Sequence, residues 1–370
     1  MRSATTAAVA RRVAGRRALQ MGLPRQQQQQ QYVIGSTASA TTTTISSYSH
    51  THQHPTAHAF TQRRRMGSWP KVKPIRVKLI TMDVTGTIVS FRGSLEDHYV
   101  GAAEKSGIDP ILLARLTPTA ITKAFGAAYK DCCEQYPCFG GEAMSSKDWW
   151  RICVANSFQN AGLPMDDHQQ EMVFQRIYST FGSHAAYESF ADAKPFLQWA
   201  RRHNLVTGIV SNADERYGDS ILPMLDITLD EVQFTCFSKD YRMEKPDPRF
   251  FQAAIQKSLP WLISHQSSQQ TQTQQYFKGS KTINRKNKTS AFSPGDVDTD
   301  KICHPSEVLH IGNDFTKDFE GARQAGMHCV LLDRYGEEEK AAEWKRRGAP
   351  VLKDLLDVVE FLGRSNCKLG

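Results

Sequence analysis

One segment constrains this chain more than any other: Val77-Lys78-Leu79-Ile80-Thr81-Met82, apolar and β-branched, runs directly into Asp83-Val84-Thr85-Gly86-Thr87. The first part reads as a buried strand. The second ends that strand in a carboxylate and a glycine-containing loop, which is a site geometry rather than a packing one. The pattern then changes. From Leu95 to about Ala191 the chain carries apolar residues at three- and four-residue spacing, with no convincing strand, and reads as helices.

Helix then alternates with strand. An amphipathic helix is expected over Ala193 to His203, a buried strand over Leu205 to Val210 and a turn at Ser211-Asn212. A short strand, Gln233 to Phe237, precedes Lys245-Pro246-Asp247-Pro248 and a helix from Arg249 to about Ile263. The strand Val308 to Ile311 ends in Gly312-Asn313-Asp314, and a helix from Phe319 to Ala325 leads to the strand Cys329 to Leu332. Such alternation implies a three-layer, Rossmann-like α/β fold: a parallel sheet with helices on both faces and its chemistry beyond the carboxyl ends of the strands. Asp83, Ser211 and Asn313-Asp314 all fall at such ends. The core is expected over residues 73–94 and 192–362, with residues 95–191 inserted as an α-helical cap. Residues 264–301 are low in complexity and poor in apolar side chains, and read as a disordered insertion.

Composition matters mainly for the ends of the chain and for what it excludes. Residues 1–82 hold thirteen Lys and Arg and no acid, and without them the formal charge of +8 becomes −5. The folded part is therefore mildly acidic, which argues against nucleic acid as a partner. Residues 1–72 read as a disordered leader. An Arg-rich, acid-poor start without an apolar core matches a transit peptide better than a secretory signal, so the mitochondrial matrix is the expected location, with a plastid, the cytoplasm or the nucleus as alternatives. The eight cysteines lack zinc-ligand spacing and read as reduced thiols. No apolar run is long enough for a membrane span.

Four segments in order resemble the haloacid dehalogenase (HAD) superfamily of hydrolases: Asp83-Val84-Thr85-Gly86-Thr87, Ser211 after an apolar strand, Lys245 in MEKPDPRFF, and Gly312-Asn313-Asp314 with Asp318. Trp149-Trp150 and the stretch FEGARQAGM extend the likeness, which covers roughly residues 75–362 apart from the insertion. Taken singly, Ser211 reads as a helix N-cap, Lys245 as a solvated charge and Asp318 as a helix-start acid. The resemblance gives them other roles. It implies a HAD-like core in which Asp83 attacks a phosphate ester and forms an aspartyl phosphate. Thr87, Ser211, the Asn212 backbone amide and Lys245 would bind the phosphate, and Asp83, the Thr85 carbonyl and Asn313, Asp314 or Asp318 would hold Mg2+. Positive charge must collect around so highly charged a target. The Trp149, Trp150, Cys132 and Cys133 side chains are expected to pack within the cap or against the core.

Two positions depart from the family pattern. Thr85 stands where a second Asp usually protonates the leaving alcohol and activates water, as it does in the phosphorylation loop of cation-pumping ATPases, where the phosphoenzyme must persist. Asn313 stands where the first magnesium acid usually follows the glycine. The expected function is a magnesium-dependent phosphatase, slowed by Thr85, acting on a small phosphorylated metabolite. A non-catalytic phosphate-binding or scaffolding protein is the alternative, and a metal-free dehalogenase stands third.

Overall fold

The computed structural model describes residues 76–228, 230–277, 299–364 and 368–369. The expected leader, 1–72, lies outside the described residues, as do positions 278–298 of the expected insertion.

In chain order, β1 (Leu79–Met82) is followed by an antiparallel pair, β2 (Val89–Phe91) and β3 (Tyr187–Ser189), between which the cap is inserted. Then come β4 (Val206–Ser211), β5 (Phe234–Phe237), β6 (Val308–Gly312), β7 (His328–Leu332) and β8 (Val351–Leu352). Six of these form one parallel sheet in the order β5-β4-β1-β6-β7-β8. The central strands β1, β4 and β6 are buried at every residue, because both their faces are covered.

The alternation of strand side chains sorts the core into two layers. Ile80, Met82, Ile209, Leu309 and Ile311 point to one face. There they meet Phe196 and Leu197 of α5 (Ala193–Arg202) and Val358 and Phe361 of α8 (Leu355–Arg364). Leu79, Val206, Val210 and Val308 point to the other, against Phe250 and Phe251 of α6 (Pro248–Phe277) and Trp344 of α7 (Glu338–Arg346). The expected three-layer α/β fold is thus the observed one.

The inserted segment holds α1 (Leu95–Glu104), α2 (Pro118–Gln135), α3 (Ser146–Asn160) and α4 (Asp167–Thr180) around a core of its own that includes Tyr99, Phe125, Trp149, Phe158 and Phe174. Each helix starts on a side-chain cap: Ser94, Thr117, Ser145 and Asp166 accept from Asp97 N, Ala120 N, Asp148 N and Gln169 N. Strand β3 and helix α6 are among the elements that differ from expectation. The short β3 was not expected between Leu95 and Ala191, because three residues do not complete a readable alternation. Helix α6 passes Ile263 and continues to Phe277, well into the polar segment expected as a loop.

Candidate active site

Strands β4, β1 and β6 are neighbours, so Ser211, Asp83 and Asn313 stand at or just past three adjacent carboxyl ends. Lys245 reaches the same place from the loop before α6. Its ammonium lies 2.6 Å from Asp83 Oδ1 and 2.6 Å from Asp318 Oδ1, with its side chain 2% exposed. Asn212 fixes that lysine at the backbone: its Nδ2 donates to Lys245 O at 2.9 Å, and its Oδ1 accepts from Lys245 N at 2.7 Å.

Asp318 uses both its oxygens inside the protein. Oδ1 accepts from Lys245 Nζ and from His310 Nε2 at 3.0 Å, and Oδ2 accepts from the backbone N–H of Asn313 and of Asp314, both at 2.9 Å. His310 takes its second bond from Thr81, 2.9 Å from Nδ1. Asp318 therefore acts as the anchor of Lys245 and of the 313–314 backbone. Asp314 Oδ1 accepts from Lys317 N and caps the helical turn Phe315–Glu320. Of the three residues named for magnesium after Gly312, Asn313 brings its side chain to the loop after β1. It lies against Gly86, whose φ of +79° suits glycine, and a Cβ there would overlap its amide.

Burial opposes the Asp318 charge, but Lys245 and the hydrogen bond from His310 outweigh it and hold this carboxyl well below the usual range. Burial likewise opposes the Lys245 charge, and Asp318 and Asp83 overcome it, lifting the ammonium above an ordinary lysine. Burial lowers His310, so it is neutral at pH 7. A carboxyl whose folded pKa is depressed contributes stability that is complete above its unfolded pKa of about 4 and is lost as pH falls below that value. His310, also depressed, contributes in the same sense, its part being complete above about pH 6.5. The urea midpoint is expected to fall as pH is lowered from 7, and steeply below about 4. An Asp318→Asn variant should lack the steep acid part.

The nucleophile loop is held at two further points. Thr85 Oγ1 lies 2.8 Å from the Tyr217 hydroxyl, which also shares a hydrogen bond with Tyr187. On the other side, Arg334, just past β7, donates from Nε at 3.1 Å and from Nη2 to the Thr87 carbonyl. Its Nη1 donates at 2.6 Å to Asp192, where the chain returns from the cap. The Thr87 hydroxyl is buried and has no hydrogen-bond partner among the described residues. Replacing Arg334, 5% exposed, by Met leaves the Asp192 charge without its cation. A loss of about 3 kcal/mol in chemical denaturation is expected.

The cap meets the core beside this loop. Trp150 Nε1 donates to Asp214 Oδ2 at 2.6 Å, and Asp214 is paired with Arg216 at 2.7 Å. Lys239 donates to the carbonyls of Phe139, Gly141 and Met144 at 3.1, 2.7 and 2.8 Å. Trp149 instead turns into the cap, donating to Tyr136 O at 2.9 Å. The expected cap packing of both tryptophans is what the structure has. Sequence reasoning did not single out Tyr217, His310, Asp214, Arg216 or Arg334. The seven described cysteines are free.

A carboxylate beyond the central strand of a parallel sheet, set against a buried lysine and faced by an inserted helical cap, is an arrangement that suits a hydrolase. The chain belongs to the haloacid dehalogenase-like hydrolase family: the model of that description matches residues 77–260, and a second, HAD-hydrolase-like model matches residues 243–358. It is 24% identical over 299 residues to haloacid dehalogenase-like hydrolase domain-containing protein 3 of Bos taurus, covering 80% of this chain and 98% of that protein. The Danio rerio protein of the same name is 28% identical, over 70% of this chain and 86% of its own. The rhythmically expressed gene 2 protein of Drosophila melanogaster is 25% identical, over 70% and 83%. Among solved structures, L-2-haloacid dehalogenase from Xanthobacter autotrophicus with chloropropionic acid covalently bound aligns with a TM-score of 0.48 at 15% identity, over 78% of this chain and 98% of that one. A putative HAD-hydrolase from Bacillus subtilis bound to magnesium aligns with a TM-score of 0.46 at 13% identity, over 78% and 99%.

Proposed function

We propose that this hydrolase is a magnesium-dependent phosphatase that acts on a small phosphorylated metabolite through a phosphoryl group carried on Asp83. The observation that carries the reading is the Lys245 ammonium, buried and bridging Asp83 and Asp318 at 2.6 Å each. A carboxylate approaching a phosphate dianion meets like charge, and a cation held beside the attacking oxygen offsets that repulsion as the bond forms. An attack by Asp83 on phosphorus breaks the ester P–O bond and releases the alcohol, which takes up a proton. Water then attacks the aspartyl phosphate, releasing inorganic phosphate and restoring Asp83. The Thr87 hydroxyl, in the loop after β1, and Ser211, the last residue of β4, supply neutral donors for the phosphoryl oxygens.

Magnesium fits the donors present. The Asp83 carboxylate, the Thr85 carbonyl and the Asn313 side-chain oxygen would hold it, all hard oxygen ligands of the type it prefers beside water and phosphate oxygens. Only one of them carries a charge, and among the described residues no group of three His, Cys, Asp or Glu side chains converges as a metal site. When bound, the ion would offset charge on the transferring phosphoryl group. Among the described residues no helix is long and apolar enough to cross a membrane.

Incubation with acetyl phosphate or beryllium fluoride and magnesium, followed by intact-mass measurement, tests the reading. The full chain is expected to gain one adduct, and Asp83→Asn none. A folded wild-type protein that stays unmodified and hydrolyses no phosphoester would overturn it.

A further inference from the structure

The turn that follows β4 carries two sets of contacts that point in opposite directions. Toward the cap, Asp214 accepts from Trp150 Nε1 at 2.6 Å, and Glu215 accepts from Ser146 Oγ at 2.7 Å. The Arg216 guanidinium, paired with Asp214, lies 5.2 Å from the Trp150 ring centroid and 4.4 Å from that of Tyr178. Toward the core, Tyr217 holds the Thr85 hydroxyl at 2.8 Å, two residues beyond Asp83. Four consecutive residues, 214–217, therefore join the cap helices to the loop that presents the nucleophile.

The join is stiff. Asp214 and Arg216 are 1% and 12% exposed, and Arg216 donates to Asp214 from both its backbone and its side chain. Tyr217 begins a helical turn, Tyr217–Ile221, that packs Ile221 into the core. Its ring stands edge-on to Tyr187, centroids 5.8 Å apart, beside the point where the cap returns to the core. Movement of Asp214 with the cap must therefore be felt at Tyr217, and through its hydroxyl at Thr85.

We propose that Tyr217 is a positioning residue that ties the nucleophile loop to the docked cap, so that Asp83 takes its reactive attitude only while Trp150 holds Asp214. The inference rests on the phosphatase reading above. Thr85 replaces the acid usual at its position, and its side-chain hydroxyl is turned to Tyr217. Its place in the loop is thus set by a core residue whose own turn the cap controls.

The test is a double-mutant cycle in the full chain, with Tyr217→Phe and Trp150→Phe. Tyr217→Phe removes one hydroxyl and leaves the ring in its packing. Trp150→Phe keeps an aromatic ring and removes the indole N–H. The rate of phosphoenzyme formation from acetyl phosphate is followed by intact mass as a function of acetyl phosphate concentration. Each single variant is expected to be roughly tenfold slower at saturation, in line with the loss of one well-placed hydrogen bond, with half-saturation unchanged. The double variant should be no slower than the slower single one, because both changes cut the same link. Merely structural roles would instead lower the melting temperature and let the two effects multiply to roughly a hundredfold. Multiplying effects, or single variants that label like a labelling wild type, overturn the inference and leave the phosphatase reading standing. A folded wild type that never labels overturns both.

Discussion

Lys245→Met should abolish phosphoenzyme formation and lower the stability of the chain by about 3–5 kcal/mol, the range for removing one partner of a buried ion pair. Both effects have one origin. Lys245 neutralises two carboxylates at once, and Asp318, 1% exposed on its side chain, cannot recover its loss by turning to water. The residual bonds to Asp318 from His310 and from the 313–314 backbone satisfy its lone pairs but do not replace a full positive charge. A further Asp318→Asn change should restore part of the stability and none of the labelling, because it removes the stranded charge without returning a cation to Asp83. Urea denaturation and intact mass after acetyl phosphate treatment read the two parts separately. A Lys245→Met protein that still labelled at the wild-type rate would remove the lysine from the chemistry.

Thr85→Asp should hasten loss of the phosphoryl group from Asp83 by about 10²-fold, the lower end of what a well-placed general base contributes. In the wild type the hydroxyl at this position is bound to the Tyr217 phenol, 2.8 Å away, and has no capacity to take a proton from water near neutral pH. The phosphoenzyme should accordingly accumulate: labelling is fast and release slow. An aspartate could accept from Tyr217 through one oxygen and face the attacking water with the other. Decay of the labelled protein after removal of acetyl phosphate, followed by mass, gives the rate directly. A decay rate unchanged or slower than wild type would mean that position 85 does not face the attacking water.

The residues that converge at the candidate site were legible because each part is announced locally. Asp83, Ser211 and Asn313 each follow an apolar strand-like run, and Lys245 sits in a proline-flanked loop. What holds them was not. Arg334 is a charge just past a strand, like many solvated ones, and its partner Thr87 lies 247 positions away. Tyr217 meets Thr85 across 132 positions. His310 looks like one more residue of a buried strand, and only the fold puts Asp318 beside it. The same limit governed the elements. Helix α6 outran expectation because glutamine is nearly as good a helix former as the apolar residues before it, and 264–277 contain neither Gly nor Pro. Composition had signalled poor burial there, which is a different property from backbone conformation.

The antiparallel pair β2 and β3 brings Phe91 and Tyr187 opposite each other, so the chain leaves for the cap and returns from it at adjoining points. A segment joined in this way behaves as a cassette. It could be exchanged for another of different length, or lost by a deletion that closes a hairpin at Phe91 and Tyr187, without rethreading the sheet. Replacing the cassette would change what faces Asp83, Lys245 and Asp318 and leave in place the sheet that positions them.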